Sequence, residues 1–350
     1  MSEDQCKAQD RTKMGLALVT GGTGAVGPSL VHQLISDGFA VRVVARHSPP
    51  TGTLPPGTEI CIGDVGDEEF LRKAVKGAEF VFHLAGRLHI PNPGPDLEPE
   101  YWRVNVGGTR CLVAACLAEG VRRLVYFSTI SVYGSTPGGC VDEDVPPHPQ
   151  NIYAETKLAG EKMVLEARGL GSEAPLGVVL RMATIYGPRM KGNYRKLFNA
   201  LSRGLFVPIG DGANRCTLIY EQDASRAAVL AAQHPLAAGG IFNVSDGAIY
   251  SLRDVIASIC AAAGRLPPRY FLPVPPVRWI ARTADGVAKL AGHSLNLTTM
   301  VDRFVQDVAV RAERIESELA FQPLYGLREG WQHTVASWKA VACRANSDGP

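Results

Sequence analysis

No C-x-x-C pair occurs among the eight cysteines of this 350-residue chain, and no cysteine stands with histidine at zinc-ligand spacing. Cys111 and Cys116, five apart in an expected helix, have poor metal geometry, so no metal site is expected. The thiols read as reduced ones of a cytoplasmic protein. Charge of one sign is also missing: 36 Lys and Arg face 34 Asp and Glu, a net of +2. With no lysine- or arginine-rich block, a nucleic-acid partner is not expected. No apolar run reaches the length of a bilayer crossing, which speaks against stable membrane insertion. The opening "MSEDQCKAQDRTKMG" lacks the apolar centre of a secretory signal. Residues 1–11 are expected to form a disordered tail. There is no internal repeat and no low-complexity tract.

What is present is ordinary globular composition, 46% apolar and 20% charged, with material for a large core. The front half alternates two periods. Strand signals stand at Leu16–Thr20, Ala40–Ala45, Glu59–Ile62, Phe80–Leu84, Leu124–Ser128 and Gly177–Arg181. Helical patterns lie between them at Pro28–Asp37, Glu68–Val75, Val104–Glu119 and Ile152–Arg168. The strands are apolar on both faces ("FVFHLA", "RLVYFS", "GVVLR"), as a sheet covered on both sides requires. The expectation is an α/β protein with a doubly wound parallel sheet over residues 12–185. After "YGPRM" the rhythm breaks, and residues 186–345 read mainly as a smaller C-terminal lobe that binds substrate. Helices are expected there at Ser251–Ala263, Val277–Leu290, Ala309–Leu319 and Leu327–Val341. The stretch "RLPPRYFLPVPPVRW" is too rich in proline for a regular element. The run Gly240–Asp246 is expected to return as a strand to the main sheet.

The first strand leads into "TGGTGAVG", four glycines in seven residues. In a doubly wound sheet the first strand–helix turn lets a pyrophosphate approach the backbone and meet the helix N–H groups. Gly21, Gly24 and Gly27 clear side chains from that approach, with Ala25 and Val26 between them. A dinucleotide site is therefore expected. The second strand ends in Ala45 where an acidic residue would bind a ribose 2′-hydroxyl, and Arg46 follows. That favours NADP(H), with NAD(H) left open. Asp64, after the third strand and followed by Val65, is a candidate for the adenine amino group.

"STISVYG" follows the fifth strand, and "NIYAETKLAGEK" comes some twenty residues later. Tyr153 and Lys157 are four apart on an expected helix, so they share a face. This suits hydride transfer, where the oxygen of a carbonyl or alcohol must gain or lose a proton. A tyrosine serves if a nearby ammonium favours its phenolate. Lys157 also suits the nicotinamide ribose, and the hydroxyl of Thr129 would hold the substrate oxygen.

These residues, with "GDV", "HLAG" (His83–Gly86), "NVGGTR" (Asn105–Arg110) and "RMATIYGPR", resemble the extended short-chain dehydrogenase/reductases, the NAD-dependent epimerase/dehydratase-like group. The resemblance covers nearly the whole chain and implies a Rossmann fold. It implies a catalytic tetrad of Asn105, Thr129, Tyr153 and Lys157, with Thr129 standing where many members have Ser. It implies cofactor contacts at Leu84, Ala85, Gly86 and Tyr186, and a homodimer through the helices around 105–119 and 152–168. Segments "YGPRMKGNYRKLFNALSRG" and "GDGANRCTLIYEQDASRA" look like those of nucleotide-sugar reductases and epimerases. Arg189, Asn193 and Arg215 are the implied diphosphate ligands, Arg suiting a diphosphate through its forked donors. Arg87 and Ser131 complete the candidate substrate set. Two positions depart from that branch: Thr184 stands where many members have Asn, and Cys216 where many have Arg. "LRMATIYGP" and "FLPVPPVRWIARTADGVAKLAG" look instead like the 3β-hydroxysteroid dehydrogenase branch. Three substrate readings stay open. One is an NADP(H)-dependent reductase or dehydrogenase of a nucleotide-activated sugar. The others are a nucleotide-sugar 4-epimerase with tightly held NAD, and a 3β-hydroxysteroid or β-hydroxy/keto-acid dehydrogenase.

Overall fold

A computed structural model of the chain describes residues 14–88, 90, 94–135, 139–169, 173–190, 192–290 and 295–347. The tail expected over residues 1–11 lies outside the described residues. The front half runs β1 (Met14–Thr20), α1 (Gly27–Ser36), β2 (Phe39–Ala45), β3 (Glu59–Ile62), α2 (Glu68–Val75) and β4 (Ala78–His83). It continues with α3 (Glu98–Tyr101), α4 (Gly108–Ala118), β5 (Arg123–Thr129), α5 (Ile152–Glu166) and β6 (Gly177–Met182). The back half contributes β7 (Thr184–Tyr186), α6 (Asn193–Ser202), β8 (Arg215–Cys216), β9 (Leu218–Tyr220), α7 (Glu221–Gln233) and β10 (Ile241–Val244). It closes with β11 (Tyr250–Ser251), α8 (Leu252–Ala263), α9 (Val274–Leu290), α10 (Leu297–Phe304), α11 (Glu313–Leu319) and α12 (Leu327–Ser347).

Seven strands form one sheet in the order β10-β6-β5-β4-β1-β2-β3, and every pair is parallel. The order reverses at β1, which lies between β2 and β4. At that switch point the carboxyl ends of adjacent strands diverge and leave a crevice. Thr20 is paired with both Val44 and His83, and Thr129 with Met182, so these strands end along one edge. Alternate residues of β1 explain why it is apolar throughout. Ala17 and Val19 pack with Leu30, Val31 and Leu34 of α1, while Leu18 packs with Leu71 of α2 and Leu112 of α4. A third apolar cluster, around Tyr186, Tyr220, Ile256 and Trp331, is the core of the C-terminal lobe.

The back half departs from the sequence reading in several places, helix α10 and the short strands β7, β8, β9 and β11 among them. Helix α7 was not expected; its alanines are buried with α1 and the sheet, so it lacks the polar stripe that marks a surface helix. Helix α6 was likewise unexpected. Helix α9 begins at Val274 and takes Pro275 and Pro276 into its first turn, where backbone N–H groups have no intrahelical partner to lose. Helix α11 starts at Glu313 rather than Ala309, because Val310 bridges to Val141 in extended conformation. The lobe is therefore discontinuous in sequence: α7, β10 and α11 all pack into the core of the main sheet.

Candidate active site

The turn from β1 to α1 is shaped by what its glycines leave out. Gly21 has φ 72°, and a Cβ there would stand 2.7 Å from the backbone nitrogen of Ala85. The glycine loop therefore runs directly against the segment leaving β4. The N–H of Gly24 donates to the carbonyl of Gly21 at 2.9 Å, and a Cβ on Gly27 would overlap the carbonyl of Gly22. Ala25 and Val26 complete the turn, and Val26 caps α1 with no side-chain hydrogen bond. No acidic residue stands in the helix's first turn, so its N-terminus presents N–H groups and a positive dipole end to an anion. These residues fit the pyrophosphate of a dinucleotide.

Beyond β2, Ala45 is buried and Arg46 exposed. A cleft of about 380 Å³ is lined by Thr23, Arg46, His47, Ser48, Thr53 and Arg189, among others. Arg189 donates to the carbonyl of Thr53 at 3.4 Å. Arg189, a candidate substrate ligand from the sequence, lines this cleft together with Arg46. Asp64 accepts from the N–H of Gly66 at 2.7 Å and pairs with Arg103 at 3.2 Å. Val65 is buried, its side chain against Gly108 of α4. Leu84 and Ala85 are tied back to β1 through N–H donation to the Thr20 carbonyl and hydroxyl. A Cβ on Gly86 would stand 3.1 Å from the Asn105 side-chain oxygen.

The four tetrad residues come from three elements. Thr129 ends β5, and its hydroxyl bonds Tyr153 on α5. Thr129 also donates to the Ser131 hydroxyl at 3.2 Å, which places Ser131 in the same group. Asn105 lies in a π-helical turn, Trp102–Gly107, ahead of α4, an irregularity frequent at functional sites. Its side-chain oxygen accepts from the N–H of Arg87 at 2.6 Å, and its amide donates to Thr156 at 3.0 Å. Asn105 thus joins the loop after β4 to α5. Lys157 is buried, with its Nζ 4.0 Å from the ring centroid of Tyr126. Burial lowers its pKa to about 7, against the opposing pull of Glu161. Burial raises Tyr153 to about 12, opposed by its hydrogen bond with Thr129.

Two buried networks behind these residues were missed from sequence. His83 bonds Thr20 at 2.7 Å and Thr109 at 3.0 Å, and Thr109 donates to the carbonyl of Asn105 at 2.6 Å. Since Thr109 spends its proton on Asn105, it accepts from His83 Nε2–H, and Nδ1 accepts from Thr20. Burial holds this histidine neutral, with its pKa lowered to about 3. Glu161, one turn after Lys157, is clasped by Arg181 at 2.8 Å and accepts from Ser128. Arg181 also donates to Tyr133 at 2.8 Å, and Tyr133 to Asn243 of β10 at 2.9 Å. The only signal for either was an ionisable residue inside an apolar strand or one turn from the lysine.

Other candidates lie elsewhere. The ring of Tyr186 is stacked on Trp331 at 5.3 Å in the lobe core, and its hydroxyl donates to the carbonyl of Gly326. Its ring is enclosed there, where β7 pairs with β9 instead of with the main sheet. Arg87 forms an ion pair with Glu100 at 2.6 Å. Arg215 is exposed on β8, its N–H donating to Asp307 at 2.6 Å. Next to it lies a cleft of about 670 Å³, walled by Gly210–Asn214 and Phe271–Pro275. Asn193 begins α6; its side chain lies outside the described residues. Among the described residues no three His, Cys, Asp or Glu side chains are grouped to hold a metal.

A parallel sheet with a glycine loop at its switch point, and a tyrosine and lysine one turn apart beside it, define a dinucleotide-dependent enzyme of the extended short-chain dehydrogenase/reductase type. Residues 17–245 match the model of the NAD dependent epimerase/dehydratase family, and the chain belongs to that family. It is 28% identical over 338 residues to the UDP-glucose 4-epimerase of Vibrio cholerae, covering 94% of this chain and 97% of that protein. It is 29% identical over 330 residues to the 3 beta-hydroxysteroid dehydrogenase/Delta 5-->4-isomerase of Mycobacterium tuberculosis, covering 90% and 88%. Among solved structures, MoeE5 in complex with UDP-glucose and NAD matches with a TM-score of 0.73 and 29% identity, covering 94% of this chain and all of that one.

Proposed function

We propose that this enzyme uses NADP(H) to reduce or oxidise a keto or hydroxyl group of a nucleotide-activated sugar, working chiefly as a ketoreductase. The observation that carries it is the end of β2. Ala45 offers no carboxylate to a ribose 2′-hydroxyl, and Arg46 faces a cleft shared with His47, Ser48, Thr23 and Arg189. Two guanidinium groups and two hydroxyls suit a 2′-phosphate. An epimerase returns its hydride and keeps its coenzyme, whereas a phosphate-tagged coenzyme held at an exposed site suits exchange after each turnover.

Bound at the glycine loop, the nicotinamide coenzyme supplies or takes the hydride. The protein handles the proton. With its pKa near 12, Tyr153 is a protonated phenol at ordinary pH, the state that reduction of a carbonyl needs. Thr129 bonds the phenol, and by turning its one hydroxyl proton from Ser131 it reaches the same substrate oxygen. As the phenolate forms, an ammonium on Lys157 stabilises it; near pH 7 that lysine is divided between its two forms. Asn105 acts by position, holding the Arg87 loop against α5. The cleft beside Arg215 offers space for a sugar nucleotide, and MoeE5, a similar structure, is in complex with UDP-glucose and NAD.

A second reading, a lipidic 3β-hydroxy substrate, is favoured by Cys216 and by the apolar wall of Phe271, Leu272 and Val274 along that cleft. Cys216 is turned inward, its Sγ donating to the carbonyl of Tyr250. Thermal shift divides the two: UDP or TDP should raise the melting point and a steroid should not, since a ligand of the folded state alone stabilises it. A steroid shift with no nucleotide shift reverses the assignment. Tyr153→Phe should lower kcat by about 10²- to 10⁴-fold with NADPH affinity unchanged. Surviving turnover would remove Tyr153 from its role.

A further inference from the structure

Helix α9 carries two apolar faces, and the protein covers only one. Ala281 and Ala288 are buried against the lobe. On the opposite arc, at about 100° per residue, Pro276, Trp279, Ile280, Thr283 and Val287 stand together with no charge among them. Trp279, Ile280 and Val287 are 60–68% exposed, and in the loop before the helix Leu266 and Tyr270 exceed 80%. Scattered apolar residues on a surface need no account, but a continuous group of this kind marks a contact surface. A water-facing helix normally places charges there.

The charges have moved to the flank. Residues 265–290 contain five basic side chains, Arg265, Arg269, Arg278, Arg282 and Lys289, and one acid, Asp285. Asp285 is held by the N–H groups of Leu297 and Thr298 at 2.8 and 2.9 Å, and Arg278 is matched by Asp302. The other four bases are exposed and have no acidic partner among the described residues. Outward tryptophan and tyrosine, an uncharged arc and a basic rim are the composition of a helix lying at a bilayer surface. A neutral protein groove would not call for the rim. No described helix is long and apolar enough to cross a membrane, so contact would be in the plane of the surface.

We propose that α9 and the loop before it dock on an anionic lipid surface, with Leu266, Trp279, Ile280 and Val287 among the acyl chains and the four bases at the headgroups. Phe271–Pro275, which lead into this face, also wall the larger cleft, so docking sets the mouth of the lobe at the lipid boundary. The proposal rests on the helix and not on the reaction assigned above.

The test is co-sedimentation of the full chain with vesicles of phosphatidylglycerol and phosphatidylcholine, against phosphatidylcholine alone. Binding to the mixed vesicles should be at least about tenfold stronger, and should weaken in high salt. The combined variant Trp279→Ser, Ile280→Ser and Val287→Ser should lose binding by about tenfold or more. The variant Arg269→Glu, Arg282→Glu and Lys289→Glu should lose the preference for anionic lipid while keeping the apolar arc. Both should retain the wild-type melting point and coenzyme affinity. Absent binding by the wild type, or equal binding by the serine variant, overturns the proposal. So does a wild-type dimer that binds no vesicles and is split by the serine variant, which would make the face a seam between copies.

Discussion

Replacing Lys157 by methionine should remove one defined component of this protein's pH-dependent stability. The lysine is 4% exposed, and burial lowers its pKa from 10.5 to about 7 in spite of the neighbouring Glu161. Unfolding restores the ordinary value. Between about pH 7 and 10.5 the unfolded chain therefore binds the extra proton, and stability rises with pH through that window. Below about pH 7 both states are protonated, and the folded state bears the whole cost of an enclosed ammonium. A full proton difference is worth about 1.4 kcal/mol per pH unit. Allowing for partial titration near pH 7, the gain from about pH 6.5 to 8.5 is roughly 2 kcal/mol. Glu221, raised to about 7 by burial, and Asp246, raised to about 6, titrate partly in the same range. Both are present in either protein, so the wild type minus Lys157→Met difference cancels them. His83, lowered from 6.5 to about 3, adds only a small rise at the lower end of the window, where the unfolded imidazole loses its last protons. Urea unfolding of both proteins at the two pH values measures the difference. Parallel stabilities from pH 6.5 to 8.5 would show that the ammonium is not desolvated as described.

Arg46→Ala should weaken NADPH binding by about 10- to 100-fold, the range of a charge-assisted hydrogen bond, and leave NADH affinity nearly unchanged. Equal losses for both coenzymes, read by calorimetry, would refute a 2′-phosphate contact. Gly27→Ala, whose methyl would meet the carbonyl of Gly22, should cost about 1–3 kcal/mol in urea unfolding and weaken both coenzymes together. Arg181→Met leaves Glu161 enclosed without its cation and should cost about 3–5 kcal/mol at neutral pH, whereas Arg181→Met with Glu161→Leu should recover much of that. A double variant no more stable than the single one would locate the loss in packing instead.

Much of the fold could be read along the chain because the signals are local. A doubly wound sheet announces itself by short two-faced apolar runs alternating with helices of period 3.6. The glycine loop and the Tyr153–Lys157 pair each span a few residues of one element. Neither needs knowledge of a distant partner. What the sequence by itself determined is therefore the sheet, the turn at its switch point and the helix that carries tyrosine and lysine together.

Only the tertiary structure decided which side chains those elements meet. Arg189 and Arg46 lie far apart in sequence and join one cleft through the path of the loop after β7. Tyr186 is turned into the lobe because β7 pairs with β9 instead of extending the main sheet. Helix α7 is enclosed with α1 and the sheet, so alanine replaced the alternation that would have revealed it. His83 and Arg181 read as polar residues in apolar strands until Thr20, Thr109 and Glu161 arrive from other elements to bond them. Each of these depends on closing a long loop around an enclosed polar group, and no local period records such a closure.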